Sequence, residues 1–252
     1  MQTLDRNLKI KLLEDMNDSD LINYCYRTGN KEIRDFCDSN QDFWRRRLVR
    51  FNLDPYDPEI LKIKENRREE WHQIYILMVK LNRLRNWHIK TLKPGDPLLN
   101  LSLPEIYNLK SYKLRHYNLK ELPDEIYELV NLTELHLDFN YLTRLSPKIG
   151  NLINLDDLAL SDNRLTELPI EIGQLRYLDS LFVEQNLLSE LPREIGELKN
   201  LRYLGLADNR LTDLPYEITQ LRQLKQISLS YNLLNNSVVD RIRQELPNLE
   251  IV

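Results

Sequence analysis

Residues 178–200 read Leu178-Asp179-Ser180-Leu181-Phe182-Val183-Glu184-Gln185-Asn186-Leu187-Leu188-Ser189-Glu190-Leu191-Pro192-Arg193-Glu194-Ile195-Gly196-Glu197-Leu198-Lys199-Asn200. Aligned on their first leucines, the segments starting at Leu132, Leu155, Leu178 and Leu201 share a 23-residue pattern, L-x-x-L-x-[LV]-x-x-N-x-L-x-x-L-[PS]-x-x-I-x-x-L-x-x, with no insertion. A fixed period of this length marks stacked units, none of which can bury its apolar face alone. A degenerate copy precedes them (Leu109, Tyr112, Leu114, Leu119, Leu122, Pro123, Ile126, Leu129), with Tyr117 where later copies carry asparagine. A sixth starts at Leu224 and runs through Ile227, Leu229, Asn232 and Leu234. It then gives way to a helix-like stretch, Ser237 to Leu246, and to Leu249-Glu250-Ile251, as expected of a cap over the last core leucines.

The pattern assigns a role to each position. Alternation in L-x-L sends two leucines into a core and the residues between them to the opposite face, which predicts one short strand per unit and a parallel sheet. Asn140, Asn163, Asn186, Asn209 and Asn232 fall where the chain leaves the strand, where an amide can satisfy backbone groups of its own turn and the neighbouring one. Pro123, Pro169, Pro192 and Pro215 follow the last turn leucine, where a fixed φ and a missing N–H suit a non-sheet segment. Ser146 takes that place in one copy and Pro147 is shifted by one, which predicts a small local deviation.

The run Leu191-Pro192-Arg193-Glu194-Ile195-Gly196-Glu197-Leu198 resembles the leucine-rich repeats of Ras-suppressor and scaffold proteins. That resemblance covers residues 109–252 and implies an α/β leucine-rich-repeat solenoid: a horseshoe or arc with a parallel β-sheet on its concave face, used as a binding surface. Outward strand and loop positions in the four regular copies comprise eight acidic residues and one basic one. Glu134, His136, Asp138, Phe139, Asp157, Asp162, Phe182, Glu184, Tyr203 and Asp208 are the candidate contact residues. Lys110, Lys113, Arg115 and Lys225 flank this band. Acidic charge with isolated aromatics suits a protein partner that offers a basic segment and a few apolar anchors, because aromatics dominate interface energy and charge steers encounter.

Residues 1–92 carry no repeat. Leu4, Leu8, Leu12, Leu13 and Met16 fall on one helical face, Asp20-Leu21-Ile22 opens a second helix with Asp20 as an N-cap candidate, and Phe43-Trp44 anchors a further element. This stretch resembles an F-box: Leu4, Leu8, Leu12-Leu13, Asp20-Leu21 and Cys37 through Phe43-Trp44-Arg45 match, while Asp5, Asn7 and Lys9 depart from the proline, glutamate and apolar residue of that pattern. The Met16 to Cys25 and Phe36 to Arg47 segments are most similar to F-box-like domains of large DNA viruses that infect amoebae, of marseillevirus type. The resemblance implies a small all-α domain that docks a Skp-type adaptor and a cullin through Leu8, Leu12, Leu13, Met16, Leu21, Phe43 and Trp44, so that the repeat arc selects a substrate for a ubiquitin ligase. The other reading is a non-catalytic scaffold or Ras-suppressor-like binder whose helical domain only caps the solenoid. The run Arg45-Arg46-Arg47 with Arg50 reads as a solvated helix face. Residues 93–108, with Lys93-Pro94-Gly95-Asp96-Pro97 and a truncated Leu103-Pro104-Glu105-Ile106, read as a turn or hinge and linker.

Composition narrows the functional classes. A formal net charge of −4 over 252 residues argues against nucleic acid as a partner. The four histidines form no H-E-x-x-H, and no nucleophile elbow or Gly-rich phosphate loop occurs among six glycines, so neither an enzyme nor a cofactor is expected. Cys25 and Cys37 lack zinc spacing and read as reduced thiols. With no signal-like N-terminus and no apolar run of spanning length, the expected place is the cytoplasm, that of a host if the chain is viral, with no membrane contact.

Overall fold

Three residues of each repeat suffice for a strand, because the leucine at its centre is the only one that must point inward. In the computed structural model, which describes residues 13, 14, 16–27, 31–51, 53–67 and 71–252, these strands are β1 Ser111–Lys113, β2 Glu134–His136, β3 Asp157–Ala159, β4 Ser180–Phe182, β5 Tyr203–Gly205 and β6 Gln226–Ser228. The terminal β7, Glu250–Ile251, makes a seventh. All pair in parallel and in sequence order. The register is the repeat itself: Tyr112, Leu135, Leu158, Leu181, Leu204 and Ile227 stand side by side with their side chains buried.

Behind the sheet, each of the first five repeats closes through a 3-10 turn such as Ile170–Gln174 or Arg193–Glu197. The core between sheet and turns is a row of leucines and isoleucines of near-zero exposure, each contributing about 1.5–3 kcal/mol of apolar burial. Successive turns stack so closely that a Cβ on Gly196 would lie 2.7 Å from the carbonyl oxygen of Glu217. In the last turn Thr219 takes the equivalent place. The deviation expected at Ser146 does not occur. Its φ and ψ of −67° and 142° match those of Pro123, because a residue before proline is held in the extended region anyway. Pro147 then opens the turn, where no amide is required, and Ser146 Oγ accepts from the Lys148 amide.

The asparagine column resolves a problem that the leucines create. Turning off the strand inside the core leaves buried amides and carbonyls that must be bonded. Nδ2 of Asn186 donates to the carbonyls of Leu160 (3.0 Å) in the preceding repeat and of Val183 (3.1 Å), while its Oδ1 accepts the Leu165 amide at 2.9 Å. Asn140, Asn163, Asn209 and Asn232 repeat the arrangement. In the first repeat, with no earlier strand to bond, Tyr117 replaces asparagine, and its hydroxyl donates to Asp96 of the segment that covers this end of the sheet.

That segment belongs to the solenoid unit, which comprises Trp87–Leu101 and Glu105–Val252. Gly95 adopts a positive φ of 89°, Asp96 caps the 3-10 turn Pro97–Asn100, and Lys93 lies 5.5 Å from the centroid of the Tyr117 ring. His88 faces the Tyr112 hydroxyl, and burial holds its imidazole down at about 4, so it stays neutral. At the other end, the helix Asn236–Glu245 buries Val238 and Ile242, and the Leu229 amide donates to the carbonyl of Val252.

In the remaining unit, Met1–Asn86 with Ser102–Pro104, the described residues are mainly helical. It contains α1 (Asp18–Ile22), α2 (Lys31–Ser39), α3 (Gln41–Arg47), α4 (Pro58–Arg67) and most of α5 (Trp71–Thr91). Asn17, one turn before the expected Asp20, caps α1, its Oδ1 accepting the Asp20 amide at 2.9 Å. Arg47, expected among solvated arginines, is buried and donates to the carbonyls of Leu13 and Glu14 at 3.2 and 2.9 Å, with Asp18 3.5 Å away. Three elements thus share one guanidinium, which a fork of five donors allows. Cys25 and Cys37, expected to be reduced, are joined in a disulfide with Cα atoms 6.0 Å apart. Cys25 lies in the π-helical turn Asn23–Arg27 and Cys37 in α2, so the bond joins two different elements and spacing alone could not reveal it.

The asparagine ladder makes a specific prediction. Asn186→Ala orphans the buried Leu165 amide and removes one of the two asparagine donors to each of the Leu160 and Val183 carbonyls, and is expected to lower stability by about 1–3 kcal/mol. Asn232→Ala, at the less buried end of the column, costs less. Urea unfolding of the two variants followed by circular dichroism measures the difference.

Candidate functional site

With the central residue of each strand buried, the first and third residues form two columns on the open face, and a further two columns continue into the turn. The first column runs Ser111, Glu134, Asp157, Ser180, Tyr203, Gln226 and the second Lys113, His136, Ala159, Phe182, Gly205, Ser228. The outermost column, one residue before the asparagines, is His116, Phe139, Asp162, Gln185, Asp208 and Tyr231. All six have a positive φ, between 52° and 61°. The left-handed conformation is unfavourable for such side chains and is held here by the bonds on both sides of each turn, for example from the Asp162 amide to the Glu184 carbonyl at 3.0 Å. The result is a row of side chains projecting from one edge of the sheet.

Pairing redistributes the charge that the sequence placed on this face. Glu134 accepts from Ser111 Oγ at 2.8 Å and lies 3.3 Å from Lys113 Nζ, and these contacts hold its carboxyl below the usual range. Asp138, expected to face a partner, is buried: Arg115 Nε donates to it at 2.7 Å and the Ser161 amide at 3.2 Å. Arg202 pairs with Asp179. His136 is largely covered, with Nε2 3.4 Å from Asp157 Oδ2, and burial raises the Asp157 carboxyl. These residues brace the sheet rather than stand free on it.

Three of the predicted acids are different. Glu184 lies across the backbone of Gly205, where an added Cβ would fall 1.8 Å from its Oε1, and it accepts from Ser161 Oγ at 2.7 Å and from Ser228 Oγ at 3.4 Å. Asp162 and Asp208 sit in the edge row, and among the described residues neither they nor Glu184 form an ion pair. The Asp162 carboxyl is raised, first by partial burial and then by Asp138, Asp208 and Glu184 around it. The acids without an ion pair therefore lie in the edge row, as Asp162 and Asp208, and over the ends of the adjoining strands, as Glu184. Phe182 and Tyr203 are half-buried beside it, while Phe139, 47% exposed, stacks on His116 at 4.3 Å. Tyr231, 85% exposed at the end of the same row, was not among the sequence candidates. Its place before Asn232 in the repeat was the available signal.

In the helical unit, Leu13, Leu21, Phe43 and Trp44 are core residues, Trp44 also donating its indole N–H to the Cys37 carbonyl at 2.7 Å. Met16 is half-buried, and Leu8 and Leu12 lie outside the described residues. Among the described residues, no group of three or more His, Cys, Asp or Glu side chains could hold a metal, and no helix is long and apolar enough to cross a membrane.

A stack of 23-residue units with one short parallel strand, an asparagine turn and a 3-10 return defines the class of the second unit: it is a repeat solenoid. It is a leucine-rich-repeat solenoid, since residues 146–250 match the leucine-rich repeat region. A leucine-rich-repeat protein of Leptospira interrogans is 39% identical over 60% of this chain, with a TM-score of 0.57. The ectodomain of the Arabidopsis thaliana receptor kinase GASSHO1/SCHENGEN3, solved in complex with Casparian strip integrity factor 2, is 32% identical over 63% of it, with a TM-score of 0.52. An internalin of Listeria monocytogenes, 24% identical over 59% of the chain with a TM-score of 0.52, shares the fold. The matches cover 39%, 19% and 45% of those three chains respectively, so this chain spans less than half of each. No curated protein matches the chain.

The raised carboxyl of Asp162 carries a testable sign. Its folded pKa lies above the unfolded value, so its contribution is most favourable below about pH 3.9 and is lost as pH rises through the folded pKa. Asp162→Asn, tolerated at positive φ, is expected to raise the Tm at pH 7 and to lose that advantage in acid. Thermal melts at the two pH values check it.

Proposed function

We propose that this chain is a protein-recognition module that captures its partner on the open face of the sheet, with an extended basic segment of the partner lying along the edge row. The observation that carries this reading is the unpaired acidic group Asp162, Glu184 and Asp208, set beside Phe182 and Tyr203 and flanked in the row by the aromatic rings of Phe139 and Tyr231. Successive side chains in the row are one strand spacing apart, about 4.8 Å. Lysines or arginines at intervals along an extended chain fit the acids, and apolar side chains between them fit the rings. The receptor ectodomain solved with Casparian strip integrity factor 2 supports use of this architecture for protein ligands.

The resemblance of the helical unit to F-box-like domains extends the proposal: the helical unit links the captured protein to a cullin-type ubiquitin ligase through a Skp-type adaptor. Since Leu13, Leu21, Phe43 and Trp44 form its core, their part in docking is to hold the helices, and the half-buried Met16 is the described candidate for contact.

Affinity capture with the full chain separates the two claims. The variant Asp162→Lys/Phe182→Ala/Asp208→Lys is expected to retain at least about tenfold less partner while keeping any bound adaptor and cullin. Undiminished partner retention would overturn the proposed binding face. Absence of adaptor and cullin from the unmodified chain would overturn the ligase link and leave the binding face standing.

A further inference from the structure

On the side where strands hand over to the 3-10 turns, the repeat columns change sign at one place. The residue after the first turn leucine is Thr143, Thr166, Ser189 and Thr212 in the regular repeats but Lys120 in the first. The next position is Glu121, Glu167, Glu190 and Asp213 in four repeats but Arg144 in the second. Both departures, together with Arg164 from the following repeat, line a single open cavity of about 560 Å³ completed by Glu121, Tyr141 and Thr143. The Arg164 guanidinium lies 4.7 Å from the Tyr141 ring centroid, a cation–π contact that occupies none of its N–H donors. Among the described residues, none of the three cations forms an ion pair.

Three exposed cations from stacked repeats share one lining with a single carboxylate, in a chain whose net charge is −4, so the lining itself matches their charge only in part. Fixed structural need does not account for Lys120 or Arg144, because the neighbouring repeats fold with threonine, serine or carboxylates at those two positions. Three positive charges against the one carboxylate of Glu121 leave a lining of +2. A phosphate monoester carries about −1.5 to −2 at neutral pH and offers three acceptor oxygens. Two guanidiniums supply paired donors suited to those oxygens, Lys120 supplies a mobile point charge, and the Thr143 hydroxyl a further donor.

We infer that the cavity formed by Lys120, Arg144 and Arg164 over Tyr141 binds a phosphate monoester. The site is opposite in sign to the acidic edge row and shares no residue with it, although Arg164 follows Asp162, and Tyr141 follows Phe139, by two residues.

Calorimetric titration of the full chain tests this with inorganic phosphate, O-phosphoserine, a phosphoserine-containing peptide and the same peptide unphosphorylated. The phosphorylated probes are expected to bind and the unphosphorylated peptide not to. Similar affinity for inorganic phosphate and phosphopeptide would identify a free anion as the natural occupant, and a strong preference for the peptide a phosphorylated protein; either supports the assignment. Lys120→Thr and Arg144→Glu, which install what neighbouring repeats already carry, should each weaken phosphate-dependent binding by about tenfold or more without lowering the Tm of the free protein. Equal binding of both peptides, no binding of any phosphorylated probe, or undiminished affinity in Arg144→Glu would overturn it.

Discussion

The amide of one asparagine per repeat decides whether the solenoid can exist. A chain that turns off a strand inside a leucine core exposes amides and carbonyls with no water to bond them, and each left unpaired costs about 1–3 kcal/mol. Asn163, with Nδ2 on Leu137 and Leu160 and Oδ1 on the Leu142 amide, closes that deficit and bonds its repeat to the one before it. Because the bonds cross between repeats, the turn is positioned by its neighbour and not only by its own sequence. The consequence reaches the surface: the residue before each asparagine is held at positive φ, so its side chain is thrown out at the sheet edge. The row available to a partner is thus set by the same interaction that saturates the core.

Most of this architecture was legible in the residues because a period reports stacking directly. The leucine positions, the asparagine turns, the strand at each L-x-L and the C-terminal cap all follow from patterns that repeat. What the period could not show is where one repeat's side chain finds a partner on the next. Asp138 looked exposed by alternation, yet Arg115 from the preceding repeat folds over it. Ser146 looked irregular, yet its backbone already has the conformation that proline would impose. In the helical unit, no period exists to read. The buried role of Arg47 depends on carbonyls more than thirty residues earlier in the chain, and the Cys25–Cys37 bond joins two different elements.

The charge pattern of the solenoid carries two messages of opposite sign. Glu134, Asp138 and Asp179 are matched by Lys113, Arg115 and Arg202 and brace the sheet, whereas among the described residues Asp162, Glu184 and Asp208 form no ion pair. The cations around Tyr141 are unmatched in the other sense. In a repeat array, a column shared by most copies reports the needs of the fold, and a departure confined to adjacent repeats reports something the fold does not need. That distinction is available without any second sequence, since the repeats serve as one another's reference.

The central claim is that partners contact the edge row of the sheet. A photo-crosslinking residue at Gln185, a position whose equivalents in other repeats are the aromatic Phe139 and Tyr231, reports this contact in the full chain. Its control is the same residue at Tyr216, which is 58% exposed on a 3-10 turn behind the sheet. The account predicts salt-sensitive adducts at Gln185 that map to lysine- or arginine-bearing segments of a bound protein, with few at Tyr216. Equal yields at the two positions, or adducts confined to Tyr216, would contradict it.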